Sequence, residues 1–320
     1  MERRLFLGGG LTGGSAVANR PTAAFPTRLR NLTPDTDVYV EREQPGQPHR
    51  GKVLAAIAPH CDDISLFAAG TVLKLIKEGY SGILIRTTND EMKGTGATSG
   101  EVILNNERDN AEVARRLGLK KVFDLKYRSR RLDESSCVEM RARLVFLLRL
   151  LKVDTVICDD PWAHYEENPD HRLTASCVEA ACLMAADPYG YPEHRETGLG
   201  PQTVRERYYY ARGPQAVNRV VDISAVFDGK LDVNVANASL GPAGENGARL
   251  RARLAAEGRS LPVLGDSDET ANRAYIRHFV LREDAELGQR YGLQYAEPFH
   301  YIGPKESMLE EYIDKNAVRL

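Results

Sequence analysis

The sequence predicts an α/β fold in which a mostly parallel β-sheet carries helices on both faces. Short apolar runs alternate with longer amphipathic segments from residue 52 to about residue 187. The runs are rich in Val, Ile and Leu without a regular polar alternation, as expected for strands that are buried on both faces. Two of the amphipathic segments end at Gly79 and Gly118, and glycine is a typical helix stop.

The predicted elements alternate along the first half of the chain. They are, in order, strand 52–58, helix 64–78, strand 82–86, helix 106–117, strand 121–125, helix 135–152, strand 154–158 and a helix that begins near His171. Strands and helices in this alternation predict βαβ units and therefore parallel strands. The pattern weakens after residue 187, where 205–211 and 218–223 are predicted strands and 269–291 is a predicted helix.

Composition excludes several classes of protein. The chain has 320 residues, of which 42% are hydrophobic and 28% are charged, so it can build a substantial globular core. Its 43 Lys and Arg residues balance 45 Asp and Glu residues without a basic stripe, which argues against a nucleic-acid partner. No apolar run approaches the roughly 18 residues of a membrane span. Five cysteines do not form a disulfide framework.

The N-terminus has the form of an export signal. Arg3-Arg4-Leu5-Phe6-Leu7 precedes a Gly- and Ala-rich stretch that ends at Ala18, and this pattern resembles a twin-arginine signal. The alternative is a disordered tail on a cytoplasmic protein. We expect four regions, namely a signal over 1–18, a linker and lead-in over 19–50, one catalytic domain over 51–303 and a C-terminal tail over 304–320.

Polar residues follow the predicted strands at their carboxyl ends, where ligands gather in parallel α/β sheets. These residues are His60, Asp62 and Asp63 after the first strand, Asn89 and Asp90 after the second, Asp159 and Asp160 after the fourth, and Asn168, Asp170 and His171 in the loop that follows. We expect them to meet at one edge of the sheet. Neither Gly-x-Gly-x-x-Gly nor Gly-Lys-Ser/Thr occurs there, which excludes the usual nucleotide-binding turns.

Three of these residues suit a metal ion. His60 and Asp63 lie three positions apart on a predicted tight turn, and His171 enters from the loop after the fourth strand. Two imidazoles and one carboxylate with an open fourth position form a common catalytic zinc site, in which the pKa of bound water falls to about 7. Another divalent metal would also suit these ligands. The alternative is a His-x-x-Asp that occurs by chance, with the acids capping helices.

Asp62 is the candidate acid–base group beside this site. It is adjacent to Asp63 in sequence, and two carboxylates in one cavity repel each other unless a cation lies between them. Amide hydrolysis needs a base that takes a proton from water and an acid that gives one to the leaving amine. We expect Asp62 to perform both steps in succession.

Substrate contacts are predicted less sharply. Asn89 and Asp90 follow the second strand, Arg128, Arg130 and Arg131 follow the third, and Tyr165 lies in the loop before His171. Arginine here could bind a carboxylate or phosphate of the substrate, and the aromatic ring could line a sugar pocket. The alternatives are a solvated basic loop and ordinary packing.

Two segments resemble the motifs of a known family, the LmbE-like or PIG-L zinc-dependent N-deacetylases. The stretch Ala58-Pro59-His60-Cys61-Asp62-Asp63-Ile64 is similar to Ala-His-Pro-Asp-Asp-Glu, and Asn168-Pro169-Asp170-His171 is similar to His-Pro-Asp-His. The resemblance extends from about residue 50 to about residue 303. It implies a Rossmann-like three-layer α/β/α sandwich and one Zn²⁺ per chain held by His60, Asp63 and His171. It also implies Asp62 as general base, and a small acylated amine, in particular an N-acetylated sugar, as substrate.

The sequence departs from the family pattern at three positions. Cys61 replaces a proline, Ile64 replaces a glutamate, and Asn168 replaces the histidine that is thought to stabilise the oxyanion. An amide can donate a hydrogen bond to an oxyanion but carries no charge. We therefore expect either Asn168 to act as the oxyanion donor or His164 to supply the charge.

Two other functions stay open at this point. One is an amidase or esterase that acts on a substrate other than a sugar. The other is a non-catalytic relative that binds a ligand, and the presence of Asp62 argues against it because a binding protein needs no base beside a metal ligand.

Overall fold

A computed structural model describes residues 38–304 and 308–318 of the chain. The predicted signal over 1–18 and the first part of the predicted linker lie outside these residues. Within them, no helix combines the length and the apolar character that a membrane crossing requires.

Eight strands of the described chain form one sheet, in the order β1-β7-β8-β6-β5-β2-β3-β4. The strands are β1 (Tyr39–Glu41), β2 (Val53–Ala58), β3 (Ser81–Thr88), β4 (Val122–Tyr127), β5 (Thr155–Asp159), β6 (Glu206–Tyr210), β7 (Arg219–Asp222) and β8 (Ala296–Ile302). Every neighbouring pair is parallel except those of β8, which runs antiparallel to both β6 and β7. The predicted α/β class with a mostly parallel sheet is confirmed.

Helices cover both faces of this sheet. They are α1 (Asp63–Phe67), α2 (Ala69–Lys77), α3 (Ser99–Arg116), α4 (Cys137–Leu151), α5 (Pro169–Ala186), α6 (Glu193–Glu196), α7 (Phe227–Val235), α8 (Asn246–Ala256), α9 (Asp268–Tyr275), α10 (Arg282–Arg290) and α11 (Met308–Asn316). Successive residues of β2 point to opposite faces, as in any strand. Leu54 and Ala56 join a core with residues of α2, α3 and α7. Ala55 and Ile57 join a second core with α4 and α5, so the sheet is the middle of three layers.

The observed elements differ from the predicted ones mainly outside the first half of the chain. The predicted helix over 269–291 is α9 and α10, joined by one turn of π-helix at Ile276–Val280. Strand β8 and helices α7 and α8 have no counterpart in the prediction. Strand β1 lies within the stretch expected to be a linker and pairs with β7, and α11 lies within the expected C-terminal tail.

Three element ends place polar residues at one edge of the sheet. Strand β2 ends at Ala58, directly before the turn that begins α1 at Asp63. Strand β5 ends at Asp159, and the loop after it leads to α5. The side-chain oxygen of Asn168 accepts the backbone N–H of Asp170 at 3.1 Å and so caps the first turn of α5. This cap fixes the helix start that carries His171.

Candidate metal centre

The structure brings His60, Asp63 and His171 together. Nδ1 of His60 lies 3.1 Å from Nε2 of His171. Oxygens of the Asp63 carboxylate lie 3.2 Å from Nδ1 of His60 and 3.6 Å from Nε2 of His171. One ligand atom from each residue therefore falls within 4.8 Å of the others. Zn–N bonds of about 2.0–2.1 Å at a tetrahedral angle would separate two nitrogens by about 3.3 Å, close to the observed distance.

The outer nitrogen of each imidazole faces a second carboxylate. Nε2 of His60 lies 3.0 Å from Oδ2 of Asp170, and Nδ1 of His171 lies 2.9 Å from Oδ1 of Asp159. Because an ionised carboxylate only accepts hydrogen bonds, each outer nitrogen is the one that carries a proton. In the neutral rings, the lone pairs of the two inner nitrogens then face one point beside Asp63. A metal ion at this point could be held by all three side chains, and the donor set suits Zn²⁺.

The electrostatics of these residues agree with a cation at this point. Burial opposes a charge on His60, but the carboxylates of Asp63 and Asp170 outweigh it and hold the pKa of His60 well above its usual range. Burial likewise opposes a charge on His171, yet Asp63 and Asp159 raise the pKa of His171 to about 9. Burial would raise the pKa of Asp63, but the two imidazoles lower it to about 2. Without a metal ion, the two imidazoles of the cluster therefore hold protons tightly. A metal ion would compete with these protons for the imidazole nitrogens.

Asp62 lies beside this cluster but does not join it. Burial, and then the neighbouring Asp63 carboxylate, raise the pKa of Asp62 to about 7. Its backbone carbonyl accepts a hydrogen bond from the Ser65 hydroxyl at 2.7 Å. An ideal Cβ on Gly241 would lie 2.5 Å from Oδ2 of Asp62, so the loop after α7 packs directly on this carboxylate. Asp62 is therefore held against the loop on the wall of the cavity.

The cluster opens into a cavity of about 300 Å³, lined also by Asp62, Asp90 and Asn168. This volume is at the small end of the usual range for ligand pockets. The Asn168 oxygen is used by the cap of α5, whereas its amide nitrogen makes no hydrogen bond to the described residues. That N–H group is available to a ligand. The Asp90 carboxylate instead accepts from the Cys61 backbone N–H and from Arg86, which indicates a structural role.

Four other residues singled out from the sequence do not line this cavity. His164 is exposed, and the Tyr165 side chain is 91% exposed. Arg128 points to Glu91, with 2.6 Å between Nε and Oε1. The side-chain oxygen of Asn89 accepts the backbone N–H groups of Glu91 and Ser129. The geometry gives no support to a role for His164, Tyr165, Arg128 or Asn89 in binding or chemistry.

Other residues of the wall, apart from Arg130, were not predicted as site residues. Lys93, Arg130 and Arg212 bring cationic side chains to the cavity, and Leu240 and Pro242 come from the loop after α7. The sequence pattern groups Arg130 with Arg128 and Arg131 and offers no signal that separates the three. Asp159 and Asp170 were recognised as strand-end and loop acids but not as partners of the histidines. The rule that a metal-binding imidazole usually donates its outer N–H to a carboxylate could have identified them.

Known proteins resemble this chain in sequence and in fold. Residues 55–182 match the family model PIG-L, described as GlcNAc-PI de-N-acetylase. A diacetylchitobiose deacetylase from Thermococcus kodakarensis is 31% identical over 189 residues, which cover 56% of this chain and 67% of that protein. The matched family range contains His60, Asp62, Asp63 and His171.

Two solved structures illustrate the likeness in fold. An N,N'-diacetylchitobiose deacetylase from Pyrococcus horikoshii, in complex with an inhibitor, superposes with a TM-score of 0.61 at 24% identity, over 78% of this chain and 84% of that one. The 4-carboxy-2-hydroxymuconate hydratase GalB from Pseudomonas putida KT2440 superposes with a TM-score of 0.54 at 15% identity, over 80% of this chain and 98% of that one. Because a deacetylase and a hydratase share this fold, the fold alone does not determine the reaction.

Proposed function

Because the chain belongs to the PIG-L (LmbE-like) family of de-N-acetylases, we propose that it is a zinc-dependent hydrolase that removes an acetyl group from the amide nitrogen of an amino sugar or related conjugate. The observation that supports this proposal most strongly is the meeting of Nδ1 of His60, Nε2 of His171 and the Asp63 carboxylate, with Asp62 beside them. These three side chains would hold one ion.

Zn²⁺ held by such ligands supplies Lewis-acid polarisation of a carbonyl oxygen and an acidic water. The chain's own residues account for the proton transfers. With a pKa raised to about 7, the Asp62 carboxylate can take a proton from the attacking water and return it to the leaving amine near neutral pH. Burial under the loop of Gly241 limits the bulk water that competes for this carboxylate.

Asn168 is the proposed donor to the oxygen that gains charge in the transition state. Asn168 lines the cavity, and the α5 cap holds its side chain by the oxygen, which leaves the amide nitrogen as the free donor. A preorganised donor of this kind stabilises the developing oxyanion without moving. In this scheme, His164 takes no part, because it is exposed away from the cavity wall.

An acetate-release assay tests the proposal. The protein is stripped with a chelator, divided, and supplied with Zn²⁺ or buffer before it meets N,N'-diacetylchitobiose, N-acetylglucosamine and a panel of other N-acyl amines and acyl esters. Acetate release from a sugar amide only in the Zn²⁺-supplied sample is the expected result. Release from non-sugar substrates alone would favour the amidase or esterase alternative. No release from any substrate by the metal-loaded protein would favour a ligand-binding relative and contradict the proposal.

A further inference from the structure

Two cationic side chains on the wall of the metal cavity form no ion pair with any residue that the structure describes. Lys93 lies in the loop after β3 and Arg130 in the loop after β4, and both line the cavity. Among the described residues, neither side chain has an ion pair or a hydrogen bond. Arg212, the third cation of the wall, differs because Glu166 binds it through both Nε and Nη2, with 3.1 Å from Nε to the carboxylate.

The acids of the cavity do not explain these two free charges. Asp90 already has Arg86 at 2.9 Å, and Asp63 already has both imidazoles. Asp62 is the remaining carboxylate of the described wall, and among the described residues it forms no ion pair with Lys93 or Arg130, although the charge of Lys93 acts to lower the pKa of Asp62. Lys93 and Arg130 are therefore the two cations of the described wall that no carboxylate holds in an ion pair.

The backbone of Arg130 is fixed in an unusual conformation. Its φ of 59° lies in the left-handed region, which long side chains rarely adopt. The backbone N–H of Arg130 donates to the carboxylate of Asp170, and the same carboxylate accepts Nε2–H of His60. The arginine is thus attached, through one carboxylate, to a metal-ligand candidate. Strained residues held in this way are common at ligand-binding positions.

The wall offers little to a neutral sugar ring. Among the described residues, Phe67 is its one phenyl, phenol or indole group, and this ring is already stacked on Tyr210 with centroids 5.5 Å apart. Trp162 lies outside the wall and packs against His300 and Tyr209. The wall therefore has little aromatic surface on which a sugar ring could stack, but it has cationic side chains that could bind an anionic group.

We propose that the N-acyl substrate carries an anionic group, a phosphate or a carboxylate, which Arg130 and Lys93 bind at the mouth of the metal cavity. The planar guanidinium can donate two parallel hydrogen bonds to such a group, and the lysine adds a point charge. This inference rests on the proposed function, because it assumes that the acyl amide enters the same cavity.

Binding of the deacylated products tests the proposal without relying on turnover. Calorimetry on the zinc-loaded full chain compares glucosamine 6-phosphate, the carboxylate muramic acid, and glucosamine, which has the same amine but no anionic group. The variants are Arg130→Gln and Lys93→Gln. The control is Arg131→Gln, which removes a partly exposed arginine that is paired with Glu134 and does not line the cavity. Lys93 does not have the left-handed backbone of Arg130. Lys93→Gln therefore removes a charge without the risk of disturbing that turn.

We expect at least one of the two anions to bind about tenfold or more tightly than glucosamine. Arg130→Gln and Lys93→Gln should remove most of this preference, and Arg131→Gln should preserve it. Higher salt should also weaken the preference, because the two cations are exposed. Equal affinity for all three ligands, or equal losses in the two test variants and the control, would overturn the inference.

Acetate release from the corresponding N-acetyl compounds separates this inference from the proposed function. If neutral N-acetylglucosamine is deacetylated as efficiently as its anionic relatives, the function stands and the inference fails. If the anions bind tightly through Arg130 but no acetylated compound releases acetate, the deacetylase function fails, and the anion site stands as a binding site.

Discussion

Asp170 accepts a hydrogen bond from Nε2 of His60 at 3.0 Å and, through the same oxygen, from the backbone N–H of Arg130. One buried carboxylate thus orients a metal-ligand candidate and fixes the loop after β4. Outer carboxylates of this kind commonly contribute 10- to 100-fold to metal affinity. We expect Asp170→Asn to weaken zinc binding by about that factor, measured by competition with a chromophoric chelator.

Asp160→Asn is the matched control for this substitution. Asp160 is also a buried acid at the carboxyl end of β5, but it contacts Trp162, Gln215 and His300 rather than a ligand candidate. The Asp160→Asn variant should bind zinc as tightly as the wild type does. Unchanged affinity in Asp170→Asn would show that the carboxylate does not support the metal site.

Asp62→Asn separates catalysis from metal binding. The amide is similar in size to the carboxylate but cannot take a proton from water, so turnover should fall by about 10²- to 10⁴-fold, the usual contribution of general acid–base catalysis. Zinc content should be unchanged, because Asp62 does not belong to the ligand cluster. Acetate release and elemental analysis on the same sample give both values. Turnover close to that of the wild type would rule out Asp62 as the base.

Gly241 keeps space for the Asp62 carboxylate, and Gly51 provides a matched control. Both glycines are left-handed, with φ of 88° and 89°, so alanine should cost each about 1–2 kcal/mol of backbone strain. An added Cβ at Gly241 would lie 2.5 Å from Oδ2 of Asp62, whereas at Gly51 it would meet nothing within 4 Å. We expect Gly241→Ala to lose at least as much stability in urea as Gly51→Ala, and only Gly241→Ala to lose kcat, with KM little changed. Equal kcat in the two variants would contradict this role.

We predict that the stability of the fold depends strongly on Lys230. Its side chain is fully buried, and Nζ lies 2.7 Å from both Asp284 and Glu297. Glu297 also accepts the N–H groups of Gly70 and Thr71 at the start of α2. Lys230→Met leaves two buried carboxylates without their cation and should lower the free energy of unfolding by about 3–5 kcal/mol.

Urea unfolding measures this loss, with the more exposed Lys77→Met as the control, which should change stability by about 1 kcal/mol or less. Adding Glu297→Gln to Lys230→Met removes one of the uncompensated charges and should restore part of the stability. A single Lys230 variant as stable as the control would show that the cluster does not hold the helices to the sheet.

The sequence predicts the centre of this molecule better than its edges, for physical reasons. Strands β2, β3 and β5 are buried on both faces, so their apolar runs are visible without an alignment, and the polar ends of β2 and β5 predict where His60 and His171 meet. Strand β8 is polar in part, with Pro298 and His300, and comes from far along the chain to insert between β6 and β7. Nothing local in its residues indicates that position.

The sequence also does not show which side chains the fold directs into the cavity. Arg128 and Arg130 are equivalent in a sequence pattern, but a left-handed turn and the bond to Asp170 direct only Arg130 to the cavity. The carboxylate partner of His60 lies 110 positions away in sequence, and that of His171 lies 12 positions away. A local sequence pattern does not reveal such contacts.

The most direct test of the central claim is the metal content of the purified chain, measured by elemental analysis beside two histidine variants. His171→Ala removes one of the three ligand candidates, and His278→Ala removes an exposed histidine outside the cavity. We predict about one zinc per chain in the wild type and in His278→Ala, and little or none in His171→Ala. No zinc in the wild type after zinc is supplied, or zinc fully retained in His171→Ala, would contradict the account.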